Sequence, residues 1–146
     1  MNNIKSNGFT LLEMMVVIII LGLLASLTIP SIMANKNRAD YQKALSDIAA
    51  IENALDMYKL DNGHYPTNSQ GIDSLVIKPV ELPIPRIYPK NGYIRRLPKD
   101  PWGNAYQINN PGQYKEIDVL SSGPDRELRT EDDIGNWSVS SEEDKE

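Results

Sequence analysis

The hydrophobic pattern of this chain changes character twice. From Met14 to Ala34 lie 21 consecutive residues without a formal charge. A helix of that length, apolar on every face, reaches across a bilayer core. Charge returns at Asn35-Lys36-Asn37-Arg38, and the apolar positions then become one-sided. Tyr41, Ala44, Leu45, Ile48, Ile51, Leu55 and Tyr58 recur at three- and four-residue spacing, the mark of an amphipathic helix. Asp61-Asn62-Gly63 is a helix stop. One helix from Phe9 to about Leu60 would be roughly 75–80 Å long at about 1.5 Å per residue. No single small domain buries such a rod, so its first half must meet lipid or other copies of itself. Within it, Gly22 and Ser26 permit close helix contact. Pro30 lacks a backbone donor and is expected to kink or locally melt the helix.

After the helix the pattern breaks into short pieces. Asn68-Ser69-Gln70 can cap a short helix running to about Val76. Pro79, Pro83, Pro85 and Pro89 exclude regular structure and predict a long ordered loop. Asp100-Pro101-Trp102-Gly103-Asn104 reads as a turn that plants Trp102 in the core. Ala105 to Ile108 reads as a strand, Asn109 to Gln113 as a turn, and Tyr114 to Leu120 as a second strand. Ile134-Gly135-Asn136-Trp137 returns the chain to the core. The prediction is an α+β fold, with a two- or three-stranded antiparallel sheet on the apolar face of the helix.

Composition narrows the function classes. The formal charge is -5 over 146 residues, and no basic patch interleaves with aromatics, which argues against nucleic acid as a partner. There is no cysteine, so a disulfide cannot staple this small domain and a metal, the long helix or oligomerisation must do so. No nucleophile–base set or phosphate loop is present, so no enzyme is predicted. His64 is the sole histidine and reads as a loop or packing residue.

Two places carry candidate chemistry. Glu13 puts a carboxylate at the start of the apolar run, where a charge demands a partner or a purpose. Phe9 to Ala34 is too long for the core of a secretory signal peptide, and no small-x-small cleavage site precedes a clear domain start. A plain signal-anchor explains the length but not Glu13 or Gly8-Phe9. Near the other end, Asp125, Asp132 and Asp133 surround Glu127 and Glu131 in one loop after Gly123-Pro124. Hard cations take oxygen ligands of this kind, but the spacing is not that of an EF-hand. The residues alone leave two readings, a calcium loop or a solvated acidic loop.

Lys5-Ser6-Asn7-Gly8-Phe9-Thr10-Leu11-Leu12-Glu13-Met14 resembles the class III leader and opening of type IV pilin-like precursors. Ala44 to Leu60, Gly92 to Pro98, Asp100 to Gly103 and Asp132 to Trp137 resemble the major pseudopilins of type II secretion systems. The resemblance covers nearly the whole chain. It implies a type IV pilin-like fold with five parts: a cleaved leader (1–8), a transmembrane helix and filament core (9–34), an amphipathic exported half-helix (35–63), a small periplasmic domain (64–137) and an acidic tail (138–146).

The same resemblance implies cleavage after Gly8 by a membrane aspartyl prepilin peptidase, which also N-methylates Phe9. It implies that Glu13 pairs with the terminal amine of a neighbouring Phe9 and sets axial register during assembly. It implies calcium held by Asp125, Asp132 and Asp133, with carbonyls from Ser122 and from Leu128 or Thr130. The implied function is that of the major subunit of a pseudopilus, a helical homopolymer with minor pseudopilins. An inner-membrane platform and a cytoplasmic ATPase would drive its growth, and growth would export folded proteins across the outer membrane. The N-terminus would be cytoplasmic, the helix in inner-membrane lipid and the C-terminal domain periplasmic. Two alternatives remain: an adhesive or motility pilin, which often carries a cysteine loop, and a monomeric membrane-tethered binding module, for which Glu13 would be dispensable.

Overall fold

The computed structural model describes residues 9–138, without the side chains of residues 26–32. It contains the helix α1 (Leu11–Asn62), a 3-10 turn at Ile72–Leu75, and the strands β1 (Gln107–Asn109), β2 (Asp118–Ser121) and β3 (Ile134–Gly135). Contacts divide it into two compact units, Met1–Ala39 and Asp40–Glu146.

In the first unit, Thr10 begins the helix. Its hydroxyl accepts from the Glu13 N–H at 3.2 Å, which satisfies one of the orphan donors of the first turn. Every large apolar side chain from Phe9 to Leu24 is exposed. α1 continues without interruption through Pro30, so the local melting expected there does not occur. Proline removes one donor from the ladder, and the rest of the helix still holds. Among the described residues no helix is long and apolar enough to cross a membrane. The side chains of residues 26–32, inside the predicted 9–34 span, lie outside that description.

In the second unit the one-sided period of α1 becomes the core. Ala44, Leu45, Ile48, Ile51, Leu55 and Tyr58 are all buried and pack with Leu75, Tyr106, Ile108, Ile117, Val119 and Ile134. The helix ends as its sequence predicts. Gly63 takes φ 81°, and its N–H bonds to the Lys59 carbonyl at 2.7 Å. Glycine adopts this left-handed end conformation without a Cβ penalty.

The short helix expected to Val76 tightens into the 3-10 turn. Its N-cap is Gly71, which makes no side-chain capping bond, so the cap expected at Asn68-Ser69-Gln70 is not used. The Thr67 N–H donates to Gln70 Oε1 at 3.1 Å, and the Gln70 N–H donates to the Thr67 hydroxyl at 3.2 Å. This reciprocal pairing closes the turn that precedes the 3-10 turn. The Gln70 amide then donates to the carbonyls of Glu81 and Pro83, both at 2.9 Å. That clamp gives the proline-rich loop a fixed course without regular structure. Tyr88 adds a hydroxyl bond to the Ser74 carbonyl at 2.9 Å.

The sheet has the order β1-β2-β3 and is antiparallel throughout. Ile108 faces Val119, and Ser121 faces Ile134. The strands are shorter than predicted and displaced toward the C-terminus. The cause is Asp118, whose buried carboxylate accepts the N–H groups of Gln113, Tyr114 and Lys115 at 2.5–3.2 Å. Those donors bend the chain into a turn and cannot join a ladder. Trp102 is half-buried against the core rather than within it. Its turn is held by Asp100, which accepts from the N–H groups of Trp102 and Asn104 and from the Ser121 hydroxyl, at 3.1, 2.7 and 2.7 Å.

Candidate functional site

The N-terminal candidate groups sit at the head of α1. Phe9 and Glu13 are both exposed, and Gly8 lies outside the described residues. The hydroxyl of Thr10 holds the Glu13 N–H, and the Thr10 carbonyl accepts from the Met14 N–H at 3.3 Å. Glu13 therefore occupies the third helical position, with its backbone spent on the cap and its carboxylate close to the positive end of the helix dipole. The spacing Thr10-x-x-Glu13 is itself a capping signature. That signature was legible in the sequence beside the assembly role read there.

The C-terminal candidate groups lie in the loop between β2 and β3. Gly123 opens it at φ 63°. A Cβ there would lie 2.3 Å from the Asp132 carbonyl oxygen, so the two ends of the loop touch across this glycine. The Asp125 N–H donates to Asp132 Oδ2 at 3.1 Å, and Asp125 Oδ1 accepts from the Glu127 N–H at 2.8 Å. Asp133 Oδ2 accepts from the Arg129 N–H at 2.7 Å. The Thr130 hydroxyl donates to Asp132 Oδ1 at 2.7 Å. The Thr130 hydroxyl foremost, and then the Asp125 N–H, pull the Asp132 carboxyl below the usual range.

One oxygen breaks this closed pattern. Asp133 Oδ1 is buried and has no partner. A buried, unpaired carboxylate oxygen is costly. The residue Asp133 also lines an open polar depression of about 660 Å³, shared with Asp118, Arg129, Thr130 and the stacked rings of Tyr114 and Trp137. Those rings lie 4.3 Å apart, centroid to centroid. Ser122 is buried, Thr130 half-buried, and Leu128 exposed.

The loop thus brings Asp125, Asp132 and Asp133 into one hydrogen-bonded set. Among the described residues, however, no three acidic or histidine side chains are assembled as a metal cage. Arg126 and Arg129 both take positive φ, 67° and 70°. The His64 ring nitrogen lies 3.0 Å from the Tyr65 carbonyl, and its ring packs edge-on to Tyr58, as a packing residue would.

The family model for type II secretion system protein G matches residues 31–137. The chain belongs to this family. A second model, the prokaryotic N-terminal methylation motif, matches residues 3–29. The type II secretion system core protein G of Aeromonas hydrophila is 62% identical over 135 residues, covering 92% of this chain and 94% of the relative. The protein of the same description from Vibrio cholerae is 56% identical over 138 residues, covering 92% and 94%. The crystal structure of the major pseudopilin from the type 2 secretion system of enterohaemorrhagic Escherichia coli is similar, with a TM-score of 0.71 at 59% identity. It covers 73% of this chain and 90% of that one. The fold is thus that of a pseudopilin, a long N-terminal helix with a small three-stranded sheet. The protein G family is one of structural subunits, not enzymes.

Proposed function

We propose that this chain is the major subunit of a type II secretion pseudopilus. The observation that carries this reading is the union, in one chain, of the methylation motif over residues 3–29 and the protein G domain over residues 31–137. The physical case agrees with it. The exposed large apolar side chains from Phe9 to Leu24 form a surface that water disfavours at about 25 cal/mol per Å². Inner-membrane lipid serves before assembly, and the helices of other copies serve after it. Cleavage after Gly8 frees an ammonium at Phe9. The Glu13 carboxylate of one copy pairs with that ammonium of the next, so neither charge stays alone in a low-dielectric core. The prepilin peptidase, the minor pseudopilins and an ATP-driven inner-membrane platform are the partners such a cycle requires. The globular part lies in the periplasm.

Calcium belongs to the same proposal. The loop residues fit it, because Asp133 Oδ1 is a buried acceptor with no donor. Asp125, Asp132 and Asp133 would hold the ion, with carbonyl oxygens from Ser122 and from Leu128 or Thr130. Bound there, calcium supplies positive charge to a loop of five carboxylates and ties its two ends together. The N–H donors and the Thr130 hydroxyl keep the same carboxylates in place meanwhile.

Both parts are testable with the full chain, expressed in a secreting bacterium that lacks its own protein G. Mass spectrometry of the membrane fraction is expected to find a chain starting at Phe9 and carrying one added methyl group. A Gly8→Val variant is expected to keep its leader and to leave secretion unrestored. Normal secretion by that unprocessed variant would overturn the assembly reading. Removing calcium by chelation is expected to lower the melting temperature of the wild type, and to lower that of an Asp133→Asn variant much less. Equal response of the two, or no response of either, would overturn the calcium reading.

A further inference from the structure

Two surfaces of the unit Asp40–Glu146 stand open, and they are opposite in charge. The first is the back of α1. Ser46, Ala50, Asn53, Met57 and Leu60 are exposed and uncharged. They recur at alternating intervals of four and three, on the side of the helix away from Ile48, Ile51 and Leu55. That spacing is the seam by which a helix meets another protein surface. Its C-terminal end is the apolar part, with Met57 62% and Leu60 84% exposed. The second is the outer edge of the proline-rich loop, where Ile77, Val80, Leu82 and Ile84 point into solvent, Val80 at 87% and Leu82 at 82%.

Neither exposure reflects a loose segment. The Gln70 amide clamps the loop at the Glu81 and Pro83 carbonyls, and Pro85 is buried. The Asn62 side chain accepts from the Ile87 N–H at 3.1 Å. The backbone is fixed so that the apolar side chains face outward. Charge then separates the two surfaces. α1 from Asp40 to Asp61 carries five acidic and two basic residues, whereas residues 77–99 carry six basic and one acidic. Asp56 and Asp61 flank Met57 and Leu60, each held by one tyrosine hydroxyl, from Tyr65 at 2.7 Å and from Tyr93 at 2.9 Å. Lys78 and Arg86 flank the apolar edge of the loop. Surfaces of opposite sign attract each other, and each repels a second copy of itself.

We infer that the Ile77–Ile84 edge of one copy seats on the Met57–Leu60 end of α1 in a second copy, with Lys78 and Arg86 beside Asp56 and Asp61. A contact between two different surfaces of one molecule is heterologous. It repeats without closing and so generates an open helical array. The inference rests on the reading of the chain as an assembling subunit and names one of the surfaces by which its globular parts meet.

The chain has no cysteine, so introduced thiols report contacts without background. Full-length Leu82→Cys and Met57→Cys chains, carrying different tags, are co-expressed in cells with a type II secretion apparatus and oxidised. The mixture is expected to give a disulfide-linked dimer bearing both tags, and each variant alone is expected to give none. Val80→Cys with Leu60→Cys repeats the test at neighbouring exposed positions. If neither mixture gives a two-tag dimer while a lysine-directed cross-linker still traps multimers, the inferred contact is wrong and the assembly reading stands. If neither reagent traps multimers, both fall.

Discussion

Asn136 is the residue on which three parts of the second unit converge, and it is fully buried. Its amide nitrogen donates to Glu52 Oε1 on α1 at 2.8 Å and to the Ile117 carbonyl at 3.0 Å. Its side-chain oxygen accepts from the Val119 N–H at 3.2 Å, and its own N–H bonds to the Val119 carbonyl at 3.0 Å. Lys115 closes the group by reaching Glu52 Oε1 at 3.0 Å. Such a network stabilises while every member is satisfied and costs most when one is removed. Asn136→Ala is expected to lose about 2–4 kcal/mol, because it strands a buried N–H, a carbonyl and part of a carboxylate. Asn136→Asp keeps the size but aims an acceptor at two acceptors, and is expected to lose at least as much. Urea unfolding of the wild type and both variants checks this. A loss under about 0.5 kcal/mol in both, the range of ordinary surface substitutions, would mean that the network is ornamental. The sequence showed that this segment returns to the core, but not that Asn136 was its fastener. Its partner on α1 lies 84 residues away, and no local pattern reports a pairing at that distance.

At the scale of elements, the parts that were legible are those set by periodic burial. The apolar spacing of α1 predicted Tyr41, Ala44, Leu45, Ile48, Ile51, Leu55 and Tyr58 as one face; the last six are buried and Tyr41 is half-buried against them. The stop at Asp61-Asn62-Gly63 was legible because glycine chemistry is local. The strands were less so. The alternation from Tyr114 to Leu120 is genuine, but three N–H groups commit to the Asp118 carboxylate before any strand can form. The short helix is reduced to a 3-10 turn at Ile72–Leu75, because Thr67 and Gln70 pair with each other in a turn ahead of it. The acidic loop stands between these cases. Its carboxylates were picked out by type and spacing, whereas the buried unpaired oxygen of Asp133 could be found only in three dimensions. The two faces of α1 make a clean comparison of what the helix contributes. Ile51→Ala removes a fully buried side chain and is expected to cost about 2–5 kcal/mol. Met57→Ala, on the open face, is expected to change the stability of the isolated unit by no more than about 0.5 kcal/mol. Chemical unfolding of both variants tests this. Similar losses from the two would place Met57 in a packed interior that its exposure excludes.

For the whole molecule, the tyrosines bind the domain together and set its alkaline limit. Tyr106 is buried among the core residues, and its hydroxyl donates to Asp47 Oδ2 at 2.9 Å. Burial first, then that hydrogen bond and the charges of Asp47 and Asp100, push its phenol far above the usual range. Burial and the Asp56 hydrogen bond do the same for Tyr65. For Tyr93, burial and the bond to Asp61 raise the value to about 12. An unfolded chain releases these protons near pH 10, while the folded chain still holds them. Above that pH the unfolded state binds fewer protons, so stability falls as pH rises, by at most about 1.4 kcal/mol per pH unit for the buried Tyr106. Below pH 10 the phenols are protonated in both states and their contribution is complete. The melting temperature is therefore expected to be insensitive to these groups from pH 7 to 9 and to drop steeply between about pH 10 and 12. A Tyr106→Phe variant starts lower, having lost the Asp47 bond, but is expected to decline with a shallower slope. Parallel declines of the two proteins across that window would show that the buried phenols are not what alkali attacks. The cause of the loss would then have to be sought outside the tyrosines.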